Sequence, residues 1–184
     1  MKRMLHRAAL WTATMIGVAL HASPATPPQP PALPVSAQFA MDKAGATARI
    51  DFQVSPEQAK AKRRLMVALD FPQTARGQIE DAIQQNDFPV RVEVFLLSHG
   101  ESIAVPTEDN QAILQSVAGN QDDAKLAHLH LYGTNGHTSN VLIAGFRPAR
   151  SGHYYAKLKT VVDLPIFAGV QTSLRVAPFY NTGE

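Results

Sequence analysis

The chain has 184 residues, no cysteine, and 17 Lys and Arg against 15 Asp and Glu, a formal net charge of +2. Without cysteine there is no disulfide, no thiol nucleophile, no zinc–thiolate site and no cysteine to carry a lipid anchor. The positive balance is no argument for nucleic acid: three basic and no acidic residues fall in 1–25, leaving 14 against 15, a net −1, for the remainder.

Residues 1–25 have the three parts of a secretory signal peptide. Lys2, Arg3, His6 and Arg7 form a basic start, and Ala8 to Leu20 is apolar. That stretch is shorter than the about 20 residues a bilayer-spanning helix needs. Ala22, Ser23 and Ala25 supply the small residues of a cleavage site. No later segment is apolar for long enough to span. The expectation is a periplasmic or secreted protein of a Gram-negative bacterium, with no membrane span after signal removal.

Thr26 to Pro34 (TPPQPPALP) is proline-rich, so residues 26–37 read as an extended, polyproline-II-like spacer. The domain is then expected over residues 38–184, long enough for one apolar core. Ala46 to Val54 alternates, with Ala48, Ile50, Phe52 and Val54 inward and Thr47, Arg49, Asp51 and Gln53 outward. Arg64 to Phe71 is a more apolar and so more central strand, closed by Pro72. Thr74 to Asn86 predicts the one helix, with Thr74 as its cap and Ile79, Ala82 and Ile83 on one face. Val90 to Leu97 (VRVEVFLL) again alternates, and Ser98 to Glu101 makes a turn before Ile103 to Val105.

Residues 106–123 carry a weaker pattern, in which Ala112, Ile113, Leu114 and Val117 suit a short helix or an irregular strand. Leu126 to Tyr132 alternates, and Gly133 to Asn140 is rich in turn residues. From Val141 the chain reads strand, corner, strand. Pro148 stops the first ladder, Ser151-Gly152 turns the chain, and Tyr154, Ala156 and Leu158 share a face opposite Tyr155, Lys157 and Lys159. A tyrosine just after such a corner suits an immunoglobulin-like sandwich, with a buried ring whose hydroxyl holds nearby backbone. Thr172 to Phe179 supplies a last strand. About eight short strands with turn signals between them predict a mainly β fold: a two-sheet antiparallel immunoglobulin-like β-sandwich with one inserted helix.

The run Val141–Val170 combines a small-apolar strand, Pro148-x-x-x-Gly152-His153-Tyr154, a lysine-bearing strand, Asp163-Leu164-Pro165 and Ala168-Gly169-Val170. This pattern resembles a family of small exported proteobacterial proteins of unknown function. The likeness extends more loosely to Asp42–Val54, the helix after Phe71 and VRVEVFLL. It implies a strand-rich exported domain and no particular activity. Many members of that family carry a lipobox cysteine, which this chain lacks, and Tyr155 stands where they often have arginine.

Chemistry-bearing patterns are sparse. His128 and His130 are separated by one residue, so on a single strand both rings leave the same face and can share a zinc or copper ion. His99, His137 and His153 are the candidate third ligands. The alternative is that the pair simply faces solvent opposite Ala127, Leu129 and Leu131. There is no G-x-S-x-G elbow, and Ser98-His99 and Ser151-x-His153 fall in turns. Carboxylates for sugar chemistry are to be sought among Glu57, Asp70, Glu93, Glu101, Glu108 and Asp109, but the sole tryptophan, Trp11, lies in the signal. Gly133-x-x-Gly136 is too short for a phosphate loop. No cofactor is expected. Phe95, Tyr155, Lys157 and Lys159 fall on one outward surface, read either as a partner site or as the seat of the inserted helix. The sequence therefore favours binding over catalysis, with an envelope or secreted protein as partner. One form is an immunity-type inhibitor of a periplasm-directed toxin. The alternatives are a histidine-based metal-binding envelope protein and a structural or assembly domain of a surface appendage.

Overall fold

The computed structural model describes residues 29–109 and 126–180. The signal segment and the Ala112–Val117 pattern lie outside these residues. Eleven strands are present among the described residues: β1 (Val35–Gln38), β2 (Thr47–Val54), β3 (Leu65–Pro72), β4 (Pro89–Ser98), β5 (Glu101–Val105), β6 (Thr107–Asp109), β7 (Leu126–His128), β8 (His130–Thr134), β9 (Thr138–Phe146), β10 (Gly152–Thr160) and β11 (Ser173–Pro178). They form two antiparallel sheets, one ordered β2-β10-β4-β5 with β7 also on β4, the other β1-β11-β3-β9-β6 with β8 also on β9. The expected two-sheet β-sandwich is the observed architecture.

Alternation explains the inner faces. Ile50, Phe52 and Val54 of β2, Val90, Val92, Val94 and Leu96 of β4, and Tyr154, Ala156 and Leu158 of β10 face the second sheet. There they meet Leu65, Val67, Leu69 and Phe71 of β3, Val141, Ile143 and Phe146 of β9, and Leu174 and Val176 of β11. Burying each such side chain is worth about 1.5–3 kcal/mol, which is why a cysteine-free domain holds together. At the centre Phe52 packs on Tyr154 and Phe146, ring centres 5.8 and 6.0 Å away. The Tyr154 hydroxyl donates to the Arg150 carbonyl at 2.7 Å, as expected for a tyrosine after a glycine corner.

Two strand pairs cross between the sheets. β5 lies on β4, then the chain bends at Pro106 and β6 joins β9. β7 also lies on β4, and past Leu129 β8 joins β9. Bent strands that leave one sheet for the other in this way close a sandwich along one side.

The structure departs from the sequence expectation in several places. The expected spacer does not extend as far as residue 37. Gln53 donates its amide to the Pro31 carbonyl at 2.8 Å, and Val35–Gln38 is strand β1 on β11, so the folded unit begins before Gln38. A second helix, α1 (Pro56–Ala61), follows β2. Ser55 and Gln58 form a reciprocal capping box there, and Pro56 takes the first turn where its missing N–H costs nothing. The expected helix, α2 (Gln78–Gln85), starts later than Thr74 because Gly77 adopts φ +63° at its N-cap. Thr74 instead gives its amide and hydroxyl to Glu80. Helix α2 packs against β8 and the short 3-10 turn at Pro165–Phe167, away from the outer face of the β2-β10-β4 sheet.

Candidate binding surface

The outward residues of β2, β10 and β4 stand in registered rows. Tyr155 lies between Asp51 and Phe95, Lys157 between Arg49 and Glu93, and Lys159 between Thr47 and Arg91. His153 lies between Gln53 and Leu97. This is the surface on which the sequence placed Phe95, Tyr155, Lys157 and Lys159, and the fold does bring those four together.

Its character differs from the expectation in one respect. Tyr155 faces outward but is only 4% exposed, so it is not a solvent-facing contact residue. The reason is a layer of side chains above it. The Arg49 guanidinium lies 4.0 Å from the centre of its ring, and Phe95 stacks beside it at 4.9 Å with planes 20° apart. The Lys157 ammonium sits 5.4 and 5.5 Å from the Phe95 and Tyr155 ring centres. Electron-rich ring faces attract such cations, which in turn carry the charge outward. The Tyr155 hydroxyl donates to Ser102 on β5 at 3.0 Å, fixing the ring. The aromatics are therefore the floor of the surface, and Lys157 and Lys159 are its exposed part.

Arg49 is held in turn. Its Nε and Nη2 donate to the two oxygens of Asp51 at 2.8 and 2.7 Å, a bidentate fork, and His153 Nε2 is 2.8 Å from Asp51 Oδ1. The Arg49 hydrogen bonds hold the Asp51 carboxyl below the usual carboxylate range, with His153 adding to the effect against the cost of burial. Beside the aromatic pair a groove of about 330 Å³ opens, bounded by Arg49, Lys157, Arg91 and Lys159 together with Glu93 and Thr47. It presents four cationic side chains and one carboxylate.

The other candidates disperse. Leu129, between His128 and His130, is the point at which the chain passes from one sheet to the other, so the two rings do not share a strand face. His128 Nε2 lies 3.6 Å from Asp87, and His130 is exposed at the start of β8. His99 occupies the β4–β5 turn at φ +52°, and His137 the β8–β9 turn. Among the described residues no three His, Cys, Asp or Glu side chains gather closely enough to hold a metal ion. Of the carboxylates, Asp70 is forked to Arg175 at 2.6 Å and Glu108 lies 2.6 Å from Arg64. No helix among the described residues is long and apolar enough to cross a membrane.

Sequence reasoning left Arg49, Asp51, Arg91 and His153 out of the surface. The alternation of β2 and β4 does place the first three outward. What the sequence does not encode locally is that β10 lies between β2 and β4 in a register that sets Arg49 over Tyr155.

No known protein family matches the sequence, and no curated protein does. Among solved structures, the chain is similar to a protein from Sulfurospirillum deleyianum, with a TM-score of 0.52 and 10% sequence identity over 80% of this chain and 98% of the other. At that identity the likeness concerns the fold alone.

Proposed function

We propose that the chain is an exported, non-enzymatic binding domain of the cell envelope, akin to the family that its Pro148…Gly152-His153-Tyr154 pattern resembles, and that it recognises another protein. It works in the periplasm or outside the cell, after removal of residues 1–25, without lipid anchor or cofactor. The observation that carries this reading is the outer face of the β2-β10-β4 sheet, where a fixed aromatic floor holds exposed cations above it. Rigid, registered side chains on a strand scaffold suit recognition, because little ordering remains to be done on binding. One concrete form is an immunity-type inhibitor that occludes a toxin directed at the periplasm. The test is affinity capture from envelope extract with the purified protein and with a Lys157→Glu/Lys159→Glu variant. A partner retained by the wild type and lost from the variant is expected. A partner retained equally by both, or none at all, contradicts the reading.

A second reading, assembly into a surface appendage, has one observation in its favour. Among the described residues β5 pairs only with β4, and its Ile103 is 44% exposed. A bare strand edge with an apolar side chain is a template for pairing with another chain. Concentration-dependent self-association in sedimentation, abolished by Ile103→Lys, is its signature. The metal-binding alternative at His128 and His130 has no third ligand beside it among the described residues.

A further inference from the structure

The groove beside the aromatic floor has a repeat in its charges. Lys157 and Lys159 are successive outward residues of β10, hence about 7 Å apart along the strand. Arg49 stands beside Lys157 on β2, and Arg91 beside Lys159 on β4. Each of two successive levels of the sheet therefore carries two cationic side chains, and all four bound the same groove of about 330 Å³.

An extended peptide has the same repeat, since its side chains at i and i+2 leave one face at the spacing of a strand. Carboxylates on alternate residues of such a peptide meet both cationic levels at once. The lysines offer point charges, and the arginines reinforce each level with their positive charge, the Arg49 fork itself being held by Asp51. A uniformly anionic membrane is the poorer match. Glu93 beside Lys157 and Asp51 beside Tyr155 put carboxylates within the same face, and each is repelled by a dense layer of phosphates. A peptide meets the Asp51 level with a neutral residue and brings a single carboxylate to the level that Glu93 shares with Lys157 and Arg49.

Resting on the proposed role of this face in protein recognition, we propose that the groove takes an extended acidic segment of the partner, with carboxylates on alternate residues. The test uses two labelled peptides of about ten residues, one alternating Glu and Ser and one with the same residues in short Glu-Glu-Ser-Ser blocks, which never set two glutamates at i and i+2. Anisotropy is read on the purified protein and on an Arg91→Glu/Lys159→Glu variant whose circular dichroism matches the wild type. The alternating peptide is expected to bind about tenfold tighter than the block peptide, to weaken by about tenfold or more in the variant, and to weaken as salt rises. Equal affinity for the two peptides, or indifference to the variant, overturns the proposal. So does binding to phosphatidylglycerol vesicles in place of the peptides, which assigns the groove to a lipid surface. A partner captured through Lys157 and Lys159 by a protein that ignores both peptides also overturns it while leaving the proposed function standing. Peptide binding that depends on Arg91 and Lys159 supports it even if the capture yields nothing, a failure that then falls on the proposed function alone.

Discussion

Glu80 is the most informative residue to perturb. It is 5% exposed, on the first turn of α2, and its carboxylate accepts the Ser139 hydroxyl at 2.5 Å, the Thr74 hydroxyl at 2.6 Å and the Thr74 amide at 3.1 Å. Burial alone raises its pKa. The hydrogen bonds from Ser139 and Thr74 outweigh that, and the net shift is downward. Glu80→Ala strands the Ser139 hydroxyl, which is wholly buried, at a cost of about 1–3 kcal/mol, while the half-buried Thr74 turns partly to water. Adding the weakened docking of α2 gives a loss of about 2–4 kcal/mol. Glu80→Gln keeps the volume and part of the hydrogen bonding, for about 1–2 kcal/mol. The pH dependence has a definite sign. A carboxyl whose folded pKa lies below its unfolded value of about 4.3 contributes stability above that value, lost as pH falls through the folded pKa. Urea unfolding of wild type and Glu80→Gln at about pH 7 and about pH 3.5 should therefore show a gap that narrows on acidification. A gap that is constant or widens refutes the assignment of Glu80 as a hydrogen-bonded carboxylate.

Two further predictions concern the frame. Tyr154→Phe removes the hydroxyl that donates to the Arg150 carbonyl from a ring with no exposure, and should cost about 1–2 kcal/mol in urea unfolding with an unchanged slope, whereas a cost near zero would mean the corner holds without it. Ser55→Ala breaks the capping box of α1 and should cost about 1 kcal/mol, read as a lower thermal midpoint; no change would show that Pro56 alone sets the helix start.

Much of the frame is written in the sequence. The alternation of β2, β4 and β10 assigns their inner and outer residues, and the Gly152-x-Tyr154 spacing places a buried phenol. The ladder of β9 is harder to read. Strict alternation groups Val141, Ile143 and Gly145. Val67 pairs with Ala144 and Ala68 with Leu142, leaving Ile143 as the extra residue of a bulge, so the phase shifts and Phe146 turns inward. Helix α1 had a local signal, Ser55-Pro56-x-Gln58, which alternation passes over because the alternating run ends at Val54. The separation of His128 from His130 had none, because the alternation continues through Leu129 while the chain changes sheets. The burial of Tyr155 was equally illegible: it depends on Arg49, more than a hundred residues away in sequence, lying on the adjacent strand.

The claim that matters most is that the cations above Tyr155 and Phe95 meet the partner. Photo-cross-linking residues introduced separately at Lys157 and at Gln38, an exposed position on the edge strand of the opposite sheet, test it in the living envelope. A protein adduct from position 157 and none from position 38 is the expected result. Adducts from position 38 alone, or the same adducts from both, would contradict it.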